Sequence, residues 1–168
     1  MPNDHALLLD CIPRLRRYAR ALVGEQAGAD DLVQDTLERG WQKLAAWRQG
    51  SDMRAWLFSI MHNLRMDQLR KPTLPTEVLD EATPPPVMAA SQSHGLEVRD
   101  LQTALAMLPL EQRQVLLLVA LEQMTYEEVA QTLSLPLGTV MSRLSRGREK
   151  LRALMDGRNL VAALRVVK

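Results

Sequence analysis

Apolar residues recur at helical intervals in two blocks of the chain, and a proline-rich middle separates the blocks. Side chains three or four positions apart share one face of a helix, so such series predict amphipathic helices. In the first block they predict helices over about 5–23, 29–46 and 53–71. The series are Leu8, Ile12, Leu15, Ala19 and Leu22; Val33, Leu37, Trp41 and Leu44; and Trp56, Leu57, Ile60 and Leu64. Trp41 and Trp56 are therefore expected in the core.

The second block has helical series of its own. Residues 98–108 predict one helix, which Pro109 ends because proline cannot continue it. Residues 111–121 predict another, and their almost continuous apolar run indicates burial on most sides. The chain has no stretch of alternating β-branched residues, so we expect an all-α fold of two small helical domains.

The middle of the chain reads as a linker. Residues 72–95 contain five of the nine prolines, including Pro84-Pro85-Pro86, and show no helical periodicity. Such a segment is expected to be flexible but locally stiffened by proline. The predicted organisation is a first domain over 1–72, a linker over 73–95 and a second domain over 96–156. Residues 157–168 form a tail that could extend the last helix, fold back or contact a partner.

Residues 125–150, TYEEVAQTLSLPLGTVMSRLSRGREK, carry the most informative motif. Thr125 and Glu128 form a predicted capping box at the start of a short helix. A break at residues 134–136 follows, and Pro136 suits the first turn of the next helix. Two helices joined by a three-residue turn predict a helix-turn-helix, whose second helix enters the DNA major groove. Its outer face carries hydroxyl and basic side chains: Thr139, Ser142, Arg143, Arg146, Arg148 and Lys150.

The distribution of charge supports a nucleic-acid partner for this end of the chain. The net charge of the whole chain is only +1, but residues 137–168 hold eight Lys or Arg against two Asp or Glu. A concentrated basic patch is the electrostatic feature expected of a nucleic-acid binder. The alternative interpretation of the same charges is an ordinary solvated helix face.

Other classes of function find no support in the sequence. Cys11 is the only cysteine, so no intrachain disulfide can form, and we expect a small buried side chain, with a redox role as the alternative. The three histidines have no ligand spacing, so no metal site and no cofactor are expected. No phosphate loop or nucleophile–base pattern suggests an enzyme. Without a secretion signal or a long apolar run, we expect a cytoplasmic protein with no membrane insertion.

Two separate segments resemble the extracytoplasmic-function (ECF) sigma factors of bacterial RNA polymerase. TYEEVAQTLSLPLGTVMSRLSRGREKL resembles region 4 of that family. DDLVQDTLERGW and LAAWRQGSDMRAWLFSIMHNLRMDQLRK resemble region 2. CIPRLRRYARAL, together with WRQGSDMRAWL, is similar to the general-stress branch, in which a small soluble anti-sigma protein is usual.

The resemblance implies a protein that binds RNA polymerase core, directs it to promoters and opens the DNA without doing chemistry itself. Region 2 would dock on the clamp helices of the largest β-type subunit through Asp31, Gln34, Asp35 and Glu38. It would read the −10 element by holding a flipped-out base, with Trp47 as a wall and Asn63 as the amide that reads the base. The basic side chains Arg48, Arg65, Arg70 and Lys71 complete this predicted −10 site. Trp47 as a plain core residue is the alternative.

Region 4 would read the −35 element through the second helix of the helix-turn-helix and would also contact the β flap of the polymerase. The implied residues are the six outer-face side chains named above. Met141 departs from the family pattern, in which a basic residue is frequent at this position. An anti-sigma factor is the third implied partner.

Two other functions remain compatible with the motifs. A sigma-like decoy would sequester an anti-sigma protein and never bind DNA. A stand-alone regulator would use the same helix-turn-helix to bind an operator by itself.

Overall fold

The computed structural model describes residues 2–71 and 92–166, and side chains within 3–71 and 97–157. These residues form helices and their connections, which confirms the all-α fold. The N-terminal unit comprises α1 (Pro2–Asp10), α2 (Ile12–Val23), α3 (Gln26–Gln42), a 3₁₀ turn (Leu44–Ala46) and α4 (Met53–Arg70). The C-terminal unit comprises α5 (Gln92–Met107), α6 (Leu110–Ala120), α7 (Tyr126–Leu133) and α8 (Leu137–Val166). Most of the predicted linker, residues 73–91, lies outside the described residues.

The core of the N-terminal unit lies between α2, α3 and α4. Its largest fully buried side chain is Phe58, whose ring meets the ring of Tyr18 edge-on with centroids 4.9 Å apart. Helices α3 and α4 approach closely at Gly40, because a Cβ there would lie 2.8 Å from Leu57 Cδ2. A larger residue at this position would therefore force the Leu57 side chain to move.

The predicted first helix is two helices. The chain turns at Cys11, and Pro13 lies at the beginning of α2, where the missing N–H of proline is tolerated. Gly24 ends α2 with a left-handed backbone, φ +79°, which glycine adopts without strain. The prediction of a kink or restart near Pro13 is confirmed.

The prediction that Trp41 lies in the core is wrong, since 52% of its surface is exposed. A step of four residues turns a helix by about 400°, so a series of such steps drifts by about 40° each time. Val33 is buried, Leu37 is half-buried, and Trp41 has left the buried face altogether. The real stripe of α3 contains Ala29, Leu32, Val33, Thr36 and Gly40, some of which are too small or polar to count as apolar signals.

Helix α6 forms the centre of the C-terminal unit. Val115, Leu116, Leu117 and Leu118 are all buried, as their continuous apolar run predicts. Helix α8 crosses α6 at Gly147, where an added Cβ would meet Gln112 at 3.4 Å. The recognition helix is therefore packed on the core at ordinary van der Waals distance at this point.

Helix α8 continues through most of the tail, as far as Val166. Of the three possibilities for residues 157–168, the described part extends the last helix. Helix α5 begins at Gln92, inside the predicted linker, because its first turn, Gln92-Ser93-His94-Gly95, contains no apolar side chain that would start a helical pattern. No helix within 2–71 and 92–166 has the length and apolar character that a bilayer crossing requires.

The two units pack against each other. Helix α2 contacts α5 and α6, and α4 contacts α7. The buried residues of both units form one continuous cluster. No pattern in the sequence predicts this arrangement.

Candidate nucleic-acid and polymerase interfaces

The capping box that begins α7 is present. Thr125 Oγ1 accepts a hydrogen bond from the Glu128 amide at 3.1 Å, and Glu128 Oε2 accepts one from the Thr125 amide at 2.8 Å. The turn that follows is closed by Ser134, whose φ of +55° is left-handed, and by a hydrogen bond from the Leu135 amide to the Ala130 carbonyl. These local contacts fix the angle at which α8 leaves α7.

Helix α8 presents its predicted DNA-binding residues on two flanks. Val140, Leu144 and Gly147 face the core. On one flank lie the exposed Ser142, Arg146 and Lys150, with Thr139 and Arg143 half-buried beside them. Five of the six predicted residues therefore lie near one another along the helix.

Arg148 lies on the other flank of α8. It lines a cleft of about 470 Å³ together with Tyr126, Met141 and Arg152. Met141, the position that departs from the family pattern, is half exposed in this cleft. The structure thus separates Arg148 from the other five predicted residues of the −35 site.

The predicted −10 residues in and after α4 do not share one face, because two positions along a helix correspond to a rotation of about 200° between Asn63 and Arg65. Asn63, Arg70 and Lys71 are exposed, and Arg65 is half-buried with a hydrogen bond from Nη1 to Gln68 Oε1 at 3.4 Å. Asn63 lies about 15 Å along the helix axis from Met53, the first residue of α4. The structure therefore does not place Asn63 beside the junction between the preceding loop and α4.

The loop before α4 is held by its own polar contacts. Ser51 Oγ donates to the Arg48 carbonyl at 2.6 Å, and the Ser51 amide donates to the same carbonyl at 3.1 Å. Asp52 caps α4 by accepting hydrogen bonds from the Arg54 and Ala55 amides. Gly50 allows the turn with φ +86°. The loop is thus shaped locally, and it leaves the Arg48 side chain exposed.

Trp47 is buried, with 8% of its surface exposed, and its ring belongs to the core cluster. This matches the alternative interpretation, and its burial gives no support to Trp47 as an open wall for a base. The exposed aromatic at this corner is Trp41, whose ring lies 4.2 Å from that of His5, centroid to centroid. Both tryptophans line one cavity of about 530 Å³ with Gln49, whose side chain donates to Asp4 at 3.4 Å.

The predicted docking residues of α3 form a continuous exposed face. Asp31, Gln34, Asp35 and Glu38 are all exposed, opposite the buried stripe of the helix. Asp35 and Glu38 also line a cleft of about 700 Å³ with Arg70 and Lys71 from the end of α4. The structure therefore brings the predicted docking site and part of the predicted −10 site to one place.

His62 of α4 lies near the recognition helix. Burial lowers the pKa of its imidazole, and the positive charge of Arg143 lowers that pKa further. The half-buried Arg143 therefore lies within electrostatic range of the N-terminal unit.

Sequence reasoning missed five charged residues that join the two units: Arg14, Arg17, Arg54, Arg113 and Glu122. Glu122 is buried, and its charge adds to the effect of burial in raising the pKa of the Tyr18 phenol. Arg113 has a lowered pKa because of burial and, to a smaller extent, the nearby charge of Arg65. Only contacts about 70 to 105 positions apart in the chain reveal these roles, so no local signal could have found them.

Both halves of the chain match families of known proteins. Residues 8–62 match the family model "Sigma2 domain of PhyR", and residues 99–151 match "Sigma-70, region 4". The ECF RNA polymerase sigma factor EcfG of Rhodopseudomonas palustris is 36% identical over 149 residues, covering 88% of this chain and 82% of the relative. The RNA polymerase sigma-E factor of Streptomyces coelicolor is also 36% identical, over 88% of this chain and 83% of the relative.

Solved structures give the same result. The sigma factor RpoE, in its complex with the anti-sigma factor NepR from Bartonella quintana, has a TM-score of 0.74 and 30% identity, covering 93% of this chain and 98% of that chain. CnrH, in complex with the cytosolic domain of CnrY, has a TM-score of 0.68 and 28% identity, covering 92% of this chain and 88% of that chain. With relatives this similar along most of its length, the chain belongs to the ECF family of RNA polymerase sigma factors, a family without enzymatic activity.

Proposed function

We propose that this chain directs RNA polymerase core to promoters by docking through α3 and by reading DNA with α4 and α8. The observation that carries the proposal is the exposed flank of α8, where Ser142, Arg146 and Lys150 project from a helix whose apolar side is packed on α6. A helix held in this way after a short turn has the geometry that enters a major groove.

The side chains of this flank suit the task. An arginine can donate two hydrogen bonds to the O6 and N7 acceptors of guanine, and this pairing discriminates against other bases. Lysine and the hydroxyl side chains bind phosphate oxygens and position the helix without reading sequence. We assign Arg146 to base contact, Lys150 to phosphate contact and Ser142 to either.

The acidic face of α3 suits a basic or polar protein partner, because complementary charge guides association and fixes orientation. Asp35 and Glu38 share their cleft with Arg70 and Lys71, so the docking surface lies directly beside the basic end of α4. A polymerase bound at α3 would therefore bring the −10 element against α4.

We further assign an anti-sigma factor as a partner, since RpoE and CnrH were crystallised with the anti-sigma factor NepR and with the cytosolic domain of CnrY. Together with the similarity to EcfG, this supports a stress-response role in the cytoplasm. The β flap of the polymerase remains the proposed contact of the C-terminal unit.

A transcription assay with purified core polymerase and promoter fragments tests the proposal. The wild-type chain is expected to give promoter-dependent transcripts, and Arg146→Ala is expected to reduce them without reducing core binding. Arg152→Ala, a loss of the same charge on the other flank of α8, is the matched control. Nanomolar, sequence-specific binding of duplex DNA by the free chain would instead favour the stand-alone regulator.

The decoy is the second candidate because the N-terminal match is to the sigma2 domain of PhyR, and a PhyR from Bartonella quintana is described as an anti-anti-sigma factor. The same assay separates it from our proposal. A decoy gives no transcript on any promoter and still binds an anti-sigma factor tightly.

A further inference from the structure

A buried carboxylate joins the two units. The side chain of Glu122, in the turn after α6, is completely buried at the contact with the N-terminal unit. Its Oε1 accepts a hydrogen bond from Arg17 Nη2 at 3.5 Å, and its Oε2 lies 3.6 Å from Arg14 Nη1 and 3.9 Å from Arg54 Nη1. An isolated buried carboxylate is strongly unfavourable, so its burial depends on these arginines.

The same arginines cap the end of a helix in the other unit. Arg54 Nη1 donates to the Glu122 carbonyl at 2.7 Å, and Arg17 Nη2 donates to the Leu121 carbonyl at 3.0 Å. Carbonyls just after the end of α6 have no partner within the helix, and a cation there is favourable. The N-terminal unit thus supplies a charged cap to the C-terminal unit.

The C-terminal unit supplies one in return. Arg113 of α6 donates from Nη1 to the Leu22 carbonyl near the end of α2 at 2.6 Å. Its Nη2 donates to the Leu108 carbonyl at 2.9 Å within its own unit. The two units are therefore joined by charged hydrogen bonds in both directions.

The contacts of the Glu122 carboxylate are loose. Charge-assisted hydrogen bonds between nitrogen and oxygen ordinarily measure about 2.7–2.9 Å, and the carboxylate distances here are 3.5–3.9 Å. Its Oε2 makes no hydrogen bond within the protein. Separation of the two units would let water donate hydrogen bonds to this oxygen. The contact between the units at Glu122 is therefore suited to opening.

The closed arrangement is incompatible with reading a promoter. Helix α4 packs against α7, which a three-residue turn joins to α8, so the two DNA-reading helices lie close together, and the charge of Arg143 acts on His62 of α4. The names of the −10 and −35 elements place their centres about 25 base pairs apart, which is about 85 Å at about 3.4 Å per base pair. The 20 residues between Lys71 and Gln92 can extend to at most about 70 Å. The chain therefore has enough length for the units to separate.

We infer that Glu122 and its arginines form a latch that holds the free chain closed and keeps the α8 flank from DNA until the units separate. The latch itself rests on the contacts of Arg14, Arg17 and Arg54 with Glu122 and with the carbonyls at the end of α6. Its effect on DNA binding also rests on the proposed function of α8.

Small-angle X-ray scattering of the free full-length chain tests the latch without DNA or polymerase. A compact chain of 168 residues has a radius of gyration of about 15 Å. The wild type is expected near that value, and Glu122→Gln is expected to rise to roughly 20 Å or more as the units separate. Glu127→Gln, which removes an exposed carboxylate from α7, is the matched control and should stay compact.

A second variant covers the case in which Glu122→Gln loses helical circular dichroism. The double substitution Arg14→Ala with Arg17→Ala removes two side chains that are more than half exposed, so folding of the N-terminal unit should survive. It should expand the chain, whereas Arg39→Ala with Lys43→Ala, which removes two exposed positive charges from the end of α3, should not. A wild type that is already extended, or latch variants that stay compact, overturn the inference.

Binding to a duplex of about 20 base pairs of arbitrary sequence then tests the masking of α8, since phosphate contacts alone give measurable non-specific affinity. Glu122→Gln is expected to bind severalfold more tightly than Glu127→Gln, which has the same net charge. Equal affinity in an expanded chain would leave the latch standing and overturn the masking and the assignment of the α8 flank. A compact chain in the scattering experiment would overturn the latch itself.

Discussion

Arginines perform two different tasks in this molecule, and the comparison separates folding from recognition. On α8, Arg146 and Arg148 are exposed. Between the two units, Arg54 and Arg113 lie half-buried and donate to main-chain carbonyls of the other unit. Arg54 and Arg113 stand outside the basic stretch of α8, each shortly before a run of apolar residues. The acceptor that a guanidinium meets decides its role.

The largest effect is expected at the interface between the units. Arg113→Ala removes hydrogen bonds to the Leu22, Ala106 and Leu108 carbonyls, so the free energy of unfolding should fall by about 3 kcal/mol. Chemical denaturation of the free chain measures this. Arg146→Ala, treated in the same way, should leave the denaturation midpoint unchanged. Equal losses of unfolding free energy in the two variants would contradict the distinction between interface arginines and α8 arginines.

A charge reversal on α3 extends the comparison to an acidic surface. Asp35→Arg should weaken the affinity for core polymerase roughly 30-fold, about 2 kcal/mol, because a like charge would then face the partner. Fluorescence anisotropy with labelled chain measures the affinity. Glu25→Arg, an exposed reversal just before α3, serves as the control. If core affinity is unaffected at residue 35, the docking surface lies elsewhere.

On the exposed flank of α8, Arg146→Ala should reduce initiation about tenfold at promoters with an intact −35 element, since one bidentate base contact contributes about 1–3 kcal/mol. The effect should shrink at promoters whose −35 element has been scrambled. Run-off transcription at saturating core polymerase provides the comparison. An equal loss on both templates would mean that Arg146 does not read sequence.

The smallest effect is expected at Lys150. Lys150→Ala should weaken binding of holoenzyme to all promoters by a few fold and reduce the slope of log affinity against log salt by about one. A salt titration of promoter binding measures the slope. Sequence preference should be unchanged, and a change in preference would reassign Lys150 from phosphate to base contact.

The sequence predicted the features that depend on near neighbours. Thr125 and Glu128 lie three residues apart and form the expected cap, and the apolar run of α6 is buried as expected. Trp41 was misplaced because a spacing of four residues drifts around a helix, and no local rule shows where the stripe ends. The partners of Glu122 lie 68 to 108 positions away in the chain, so its burial follows only from how the two units pack.

For the residues proposed to bind promoter DNA and polymerase, the sequence predicted exposure at the surface, but their contacts are not tested. The motifs predicted an exposed docking face on α3 and a polar flank on α8, and those side chains lie at the surface. Their contacts with DNA and polymerase remain predictions. Trp47 and Arg148 show the limit of motif matching, because the matched position does not say whether a ring is buried or which flank of a helix a side chain takes.

The close approach of α3 and α4 at Gly40 links the two proposed activities of the N-terminal unit mechanically. Because the Leu57 side chain of α4 packs directly on the Gly40 backbone of α3, we expect a tilt of α3 on a polymerase surface to move α4 as well. Alanine at residue 40 would add one methyl group at the contact between α3 and Leu57 of α4. The expected result for this variant is a normal affinity for core polymerase together with reduced melting of the −10 element.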